Sequence, residues 1–363
     1  MFPFQIVSPS EQVAVFLRGE LGRGRWSGEM PGAPLLAADL GVDRKTVEAG
    51  LCLLEQEGLL VPQGAGRRRK ILLPDRAPNP SLRVAILLGE AKDRKITYIL
   101  DLEHALAVAG HLVYFPRLGL LELGMELRRI AKMVEANKAD AWVVGGASHE
   151  VLEWFAARKT PVFALFGRRR GVAVAGVGPD KPPALVAATR ALIAQGHRRI
   201  VLLARRMRRV PVPGASEQAF LNELAAHGIA PGPYHLPDWV ENVDGFYARL
   251  DSLFQLTPPT ALIIDEAPLF VAVQQFFAGR TIRVPQDVSL VCTDASPDFD
   301  WCRPTVAHLR WDSRPVVRRI VRWVANVASG KEDRRQTLTP TVFVPGGTIS
   351  ACCGTMKVPP DNP

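Results

Sequence analysis

The run LRVAILLGEAKDRKITYILDLEHALAVAGHLVYFP, residues 82–116, opens as an apolar strand, continues with helical spacing and closes on a second apolar strand. The unit recurs down the chain. AWVVGG, TPVFALF, RRIVLLA, TALIID and VSLVCTD are further short apolar runs with helical stretches between them, one of them starting near Lys181. Strands apolar on both sides that alternate with helices form a parallel sheet covered on both faces. Residues 82–350 are too many for one open sheet, so two α/β lobes are expected. RGVAVAGVGPDKPP, residues 170–183, is the expected crossing between them.

Upstream, RRRKILLPDRAPNPS (67–81) carries Pro74, Pro78 and Pro80, which break any helix, and residues 74–81 read as a linker. Residues 1–73 before it have a different pattern. Ser8 caps a first helix, Pro9 suits its first position and Glu11 returns a capping-box bond. Val13, Phe16, Leu17 and Leu21 then form its buried stripe. A second helix fits Leu35 to Leu40 and Gly41 makes a tight turn. Asp43 caps a third helix with Val47, Gly50, Leu51 and Leu54 inward, and Gly58 ends it. LLVPQGAGRRRKILL gives two short strands around a glycine-rich tip.

Helix, helix, turn, helix, hairpin is the layout of a winged helix-turn-helix. In it the third helix lies in the major groove with Arg44, Lys45 and Thr46 at its exposed start. The hairpin tip brings Arg67, Arg68, Arg69 and Lys70 to phosphates or the minor groove, where cation density governs affinity. The plainer alternative is a three-helix protein-docking module with a solvated basic loop. The turn, the polar helix start and the basic wing agree on DNA.

Net charge adds little to that reading. The chain carries 45 Lys and Arg against 36 Asp and Glu, a net of +9. Residues 1–80 hold 10 against 9, a net of +1, so the reader has modest affinity alone and a homodimer is expected. Hydrophobic residues at 47% and charged residues at 22% argue against extended disorder. Five scattered cysteines without metal spacing fit a reduced compartment. MFPFQIVSPS has no secretory pattern, no apolar run approaches the ~18 residues of a membrane span, and a cytoplasmic protein is expected. No GxSxG, GxxxxGK[ST], HExxH or strand-following GxGxxG occurs, so neither catalysis, nor a cofactor, nor a metal is expected.

At residues 30–60, MPGAPLLAADLGVDRKTVEAGLCLLEQEGLL, the sequence resembles the GntR-type regulators, whose pattern is a proline-bearing turn, LAxxLGVSRxTV and a helix ending LExEGLL. The resemblance implies base and phosphate contacts at Arg44, Lys45 and Thr46 and a wing turn at Gly66. Two departures stand out: Pro34 replaces a DNA-contacting arginine, and Gly50 replaces an alanine inside the recognition helix, at a cost of ~1 kcal/mol in helix propensity.

Residues 82–350 resemble the effector-binding core of the LacI/GalR regulators, itself similar to periplasmic sugar-binding proteins. AAxxxLIAQGHRRIVLL, PPTALIIDEAPLFVAVQQF, RVPQDVSLVCTD and TVFVPGGTI carry the likeness in order. The whole chain then reads as an N-terminal winged helix-turn-helix (α with a small β wing) plus a two-lobed α/β, periplasmic-binding-protein-like type I domain, with a tail at 351–363. That fold binds ligand between its lobes at the carboxyl ends of parallel strands. Asp180, Asp265 and Asp294 stand at such ends and match the family's effector contacts; carboxylates there accept charge-assisted bonds from sugar hydroxyls. Aspartates at strand ends also cap helices and pin loops, and both readings stay open. Glu90, Lys92 to Tyr98, Ser148 and His149 follow strands where effector contacts fall. Phe299 and Trp301 are flat rings that suit a sugar face or lobe packing. The family arginine before the aromatic of RxxGF falls on Ser216, with Glu217 and Gln218 as substitutes, which implies an effector other than an ordinary hexose or a lost ligand site. Arg168–Arg170, Arg205–Arg206, Arg208–Arg209 and Arg318–Arg319 read as solvated faces or dimer contacts, with an anionic effector as the other use.

The expectation is a transcriptional repressor whose affinity for a double-stranded DNA operator is set by a small sugar-like effector. The alternative is a cytoplasmic sugar-sensing module without specific DNA binding. An enzyme with a regulatory head needs a longer catalytic domain than follows here.

Overall fold

The structure is a computed structural model that describes residues 8–22, 25–64, 67–72 and 80–352. Gly66, most of the expected linker and the tail from residue 353 fall outside that set.

The first unit is built from α1 (Pro9–Gly22), α2 (Ala33–Leu40), α3 (Arg44–Gln56), β1 (Leu60–Val61) and β2 (Lys70–Ile71). The two strands pair antiparallel, Leu60 opposite Ile71, and an isolated bridge joins Glu29 to Lys70. The expected capping box closes α1: Glu11 N–H donates to Ser8 Oγ at 3.3 Å, and Ser8 N–H to Glu11 Oε2 at 2.7 Å. Gly41 takes φ +66° at the end of α2, and Asp43 accepts the Lys45 N–H at 2.8 Å to start α3. Val47, Leu51 and Leu54 are sealed against Leu17, Leu21, Leu36 and Leu60, each side chain contributing about 1.5–3 kcal/mol by leaving water. One expectation is corrected: Phe16 is 43% exposed. The stripe of α1 is Val13, Ala14, Leu17 and Leu21, and Phe16 falls at its edge because Ala14 takes the inner position.

The remaining elements are β3 (Arg83–Leu87), a 3₁₀ turn (Ala91–Lys95), α4 (Thr97–Val108), β4 (Leu112–Tyr114), α5 (Leu127–Ala136), β5 (Ala141–Gly145), α6 (His149–Ala156), β6 (Val162–Leu165) and β7 (Ala175–Asp180). Next come α7 (Lys181–Ala194), β8 (Ile200–Leu203), α8 (Arg206–Arg209), α9 (Ala215–Ala226), α10 (Val243–Leu256), β9 (Ala261–Ile264), α11 (Ala267–Ala278) and β10 (Ser289–Cys292). A 3₁₀ turn (Pro297–Trp301), β11 (Ala307–Trp311), α12 (Arg314–Ala328) and β12 (Gln336–Val344) complete them.

Ten strands run in the order β4-β3-β5-β6-β7-β12-β11-β10-β9-β8. All neighbours are parallel except β11 and β12. β5, β6, β8, β9 and β10 are buried throughout, as strands with helices on both faces must be. The long strand β12 makes two lobes of the ladder: residues 336–340 pair with β7 of lobe 1, and residues 341–344 pair with β11 of lobe 2. The expected crossing at 170–183 is the step from β7 into α7. A second crossing had no sequence signal: α12 follows β11 of lobe 2 but packs Val316, Ile320 and Trp323 into the lobe 1 core beside Val84 and Phe163.

Candidate functional site

In lobe 1 the chain leaves β3 to one side for β4 and to the other for β5, so the loops after β3 and β5 diverge at a topological switch point. The loops after β3 and β6 meet those of lobe 2. Arg205, just past β8, donates to Glu266 Oε2 at 2.8 and 3.1 Å and reaches Glu90 of lobe 1 at 3.4 Å. From the other side, Arg168 of lobe 1 donates to the Met207 and Val212 carbonyls of lobe 2, both at 2.6 Å. These bonds hold the lobes face to face.

Asp265 is 2% exposed and both of its oxygens accept. Oδ2 takes Arg208 Nε at 2.9 Å and the Arg205 N–H at 3.2 Å, while the Thr293 hydroxyl donates to the Asp265 backbone carbonyl at 2.6 Å and shares that proton with Oδ1 at 3.2 Å. It thereby orders the loop that carries Arg208 to the cluster. Asp294 is more open, accepting only a long bond from Trp311 Nε1 at 3.4 Å. Tyr98, Phe166 and Trp311 meet edge to face with centroids 5.5–5.9 Å apart. Burial, then the charges of Asp294, Asp93 and Glu266, push the Tyr98 phenol far up, so it remains a proton donor. Among the described residues the Asp180 carboxylate has no hydrogen-bond or ion-pair partner, and it does not cap α7.

The structure therefore gathers Tyr98 and Asp294 with Asp265 as their neighbour in charge, and sets Asp180 at the crossing into lobe 2. Ser148 serves α6 instead, accepting the Val151 N–H at 3.3 Å. Trp301 is 89% exposed, whereas Phe299 packs on Phe270 and His308. Sequence reading gave Arg205 and Arg208 as a solvated face or dimer contact, with an anionic effector as the other use, and missed Phe166 and Trp311. The solvated-face reading is corrected for three of the arginines at 205–209: Arg209 is buried and Arg205 and Arg208 are bonded to cleft carboxylates, while Arg206 is exposed. The available signal was their place directly after an apolar strand. Ser216 leaves no arginine on α9, but Arg208 of α8 brings a guanidinium to the same cluster, 3.9 Å from Glu217. Burial raises the Glu217 carboxyl above its ordinary range.

On the first unit, Arg44 and Lys45 are exposed and Thr46 is half-buried at the start of α3. Arg67, Arg68 and Lys70 are exposed, and Arg69 is tied to α3 through Glu55 and Glu48, the latter at 2.7 Å. Among the described residues no helix is long and apolar enough to cross a membrane, and no cluster of His, Cys, Asp or Glu suits a metal ion.

The periplasmic binding protein-like domain family matches residues 189–349. The fold is shared with the transcriptional regulator CelR in its cellobiose complex, at 20% identity over 88% of this chain and 100% of that one, TM-score 0.62. It is likewise shared with the lac repressor dimer bound to operator and the anti-inducer ONPF, at 15% identity over 77% and 100%, TM-score 0.60. A LacI family transcriptional regulator from Enterococcus faecium with bound ribose aligns at 13% identity over 74% and 99%, TM-score 0.60. No curated protein sequence matches the chain. The two-lobed α/β part thus has the periplasmic-binding-protein-like fold that these regulators use.

Proposed function

We propose that this protein is a transcriptional regulator in which a winged helix-turn-helix at residues 1–73 reads an operator and the lobes at 82–350 bind a small sugar-like effector. The observation that carries this reading is the joining in one chain of two parts. One is a capped third helix with exposed Arg44 and Lys45 beside a hairpin with exposed Arg67, Arg68 and Lys70. The other is a two-lobed core whose fold is shared with a repressor bound to operator and with regulators bound to cellobiose or ribose. Arg44, Lys45 and Thr46 enter the major groove, the wing cations lie on phosphates, and two chains meet a pseudo-palindromic site. Effector bound at Asp294, Tyr98 and Asp180, with Asp265 setting the loop behind them, changes the lobe angle and through the dimer the spacing of the readers. Ser148 and Trp301 have lesser parts, since one is engaged in a helix cap and the other faces solvent. A coupling of about 1–3 kcal/mol between the sites is enough for a useful switch. Repression relieved by effector is the proposed sign.

The test is fluorescence anisotropy of the full chain on DNA from upstream of its own gene. Wild type binds a limited set of fragments, and the double substitution Arg44→Ala, Lys45→Ala weakens that binding at least 10-fold while circular dichroism is unchanged. Equal binding by both proteins removes α3 from the interface.

A further inference from the structure

Lys181 opens α7, immediately after the chain has crossed from β7. It is 8% exposed, and among the described residues no hydrogen bond or ion pair reaches its amine. That position opposes two ordinary rules. Lysines are seldom this buried without a partner, and a cation in the first turn of a helix faces the positive end of its dipole. The nearby carboxylates attract it without pairing with it. Asp265 is engaged by Arg208 and the Arg205 N–H, and Glu217 is turned towards Arg208 with its carboxyl pushed up by burial.

Lys181 nonetheless stands at the carboxyl end of β7, where the chain crosses into lobe 2. Its charge acts to lower the Glu217 carboxyl and the Cys292 thiol, which stand in the first turn of α9 and at the end of β10. Its neighbour Asp180 is an unpartnered acceptor. A buried lysine with no hydrogen bond or ion pair among the described residues, beside an unpartnered aspartate at the crossing between lobes, suits an occupant of opposite charge.

We propose that Lys181 is the counter-charge for an anionic group, carboxylate or phosphate, on the effector, with Asp180 beside it accepting from the effector's hydroxyls. This rests on the effector reading of the cleft given above. The effector is then a sugar acid or a sugar phosphate rather than a neutral sugar.

The test is thermal shift and calorimetry on the full chain with inorganic phosphate, acetate, D-glucose 6-phosphate, D-gluconate and D-glucose as probes. At least one anion binds wild type, Lys181→Met weakens it about 10- to 100-fold, as loss of a charged hydrogen bond does, and Lys181→Arg retains most of it. Binding by the phosphate probes alone or by the carboxylates alone identifies the group. Without ligand, Lys181→Met melts at or above wild type, because an unanswered charge has been removed. Anion binding unchanged in Lys181→Met, no anion binding at all, or a ligand-free Lys181→Met that melts well below wild type overturns the proposal. If D-glucose binds while the anions do not, the effector cleft stands and only the charge assignment falls.

Discussion

Two aspartates that look alike in the sequence do different work. Asp265 ends TALIID and Asp294 ends VSLVCTD, but only Asp265 has both oxygens engaged by Arg208, Thr293 and the Arg205 amide. Removing it leaves the Arg208 guanidinium, among the described residues, with only the more distant Glu217, at 3.9 Å. Asp265→Ala therefore destabilises lobe 2 by about 2–3 kcal/mol, less than the 3–5 of a sealed pair because Arg208 keeps a third of its surface open. Asp294→Ala, which removes one long bond, costs under about 1 kcal/mol. Urea denaturation of the two variants checks this, and equal midpoints contradict it. His197 supplies a pH dependence. It is buried, with Nε2 3.0 Å from Ser289 Oγ and from the Ser350 carbonyl, and burial holds its imidazole below the ordinary range. The unfolded chain takes up this proton near pH 6.5 while the folded chain does not. The associated stability is complete above that pH and lost as pH falls below it. The melting temperature should drop between pH 7 and pH 5, by less in His197→Gln.

At the scale of elements, the strands and helices were legible because their apolar periods are strong, and the caps because Ser8, Asp43 and Gly41 have one physical use each. What escaped was tertiary. Gly50 reads as a propensity defect, yet a Cβ there would lie 2.9 Å from Val13 Cγ1 and 3.1 Å from the Ser10 carbonyl, so the glycine is what lets α1 approach α3. Arg69 reads as one of four equal wing cations, but Glu48 and Glu55 hold it to α3. The wing substitutions then separate. Replacing Arg67, Arg68 and Lys70 with alanine lowers the slope of log affinity against log salt by about 2–3, near 0.9 for each phosphate that the protein no longer neutralises. Arg69→Ala weakens binding with little change in that slope, because it loosens the hairpin from α3. The salt series is measured on one selected fragment, and identical slopes for the two variants contradict the distinction.

In the whole molecule, β12 and α12 make the lobes one body, and neither role was visible in the sequence because both depend on which lobe a late element joins. The lobes are held together across the cleft by the Arg168 bonds to Met207 and Val212 and by the Arg205–Glu90 pair. Arg168→Ala should loosen that closure and raise the radius of gyration in small-angle scattering, and saturating effector should reverse the rise. An unchanged radius means that β12 and α12 alone set the angle. In the regulator proposed above, this angle is the quantity that links the two ends of the chain.

The most direct measurement is to pass sheared host DNA over the purified full chain at ~150 mM salt, where weak phosphate contacts are screened, and to sequence what is retained. A short inverted repeat upstream of a few genes is the predicted result. Diffuse retention without a common sequence, or none with or without anionic and neutral sugars, contradicts a ligand-controlled DNA reader.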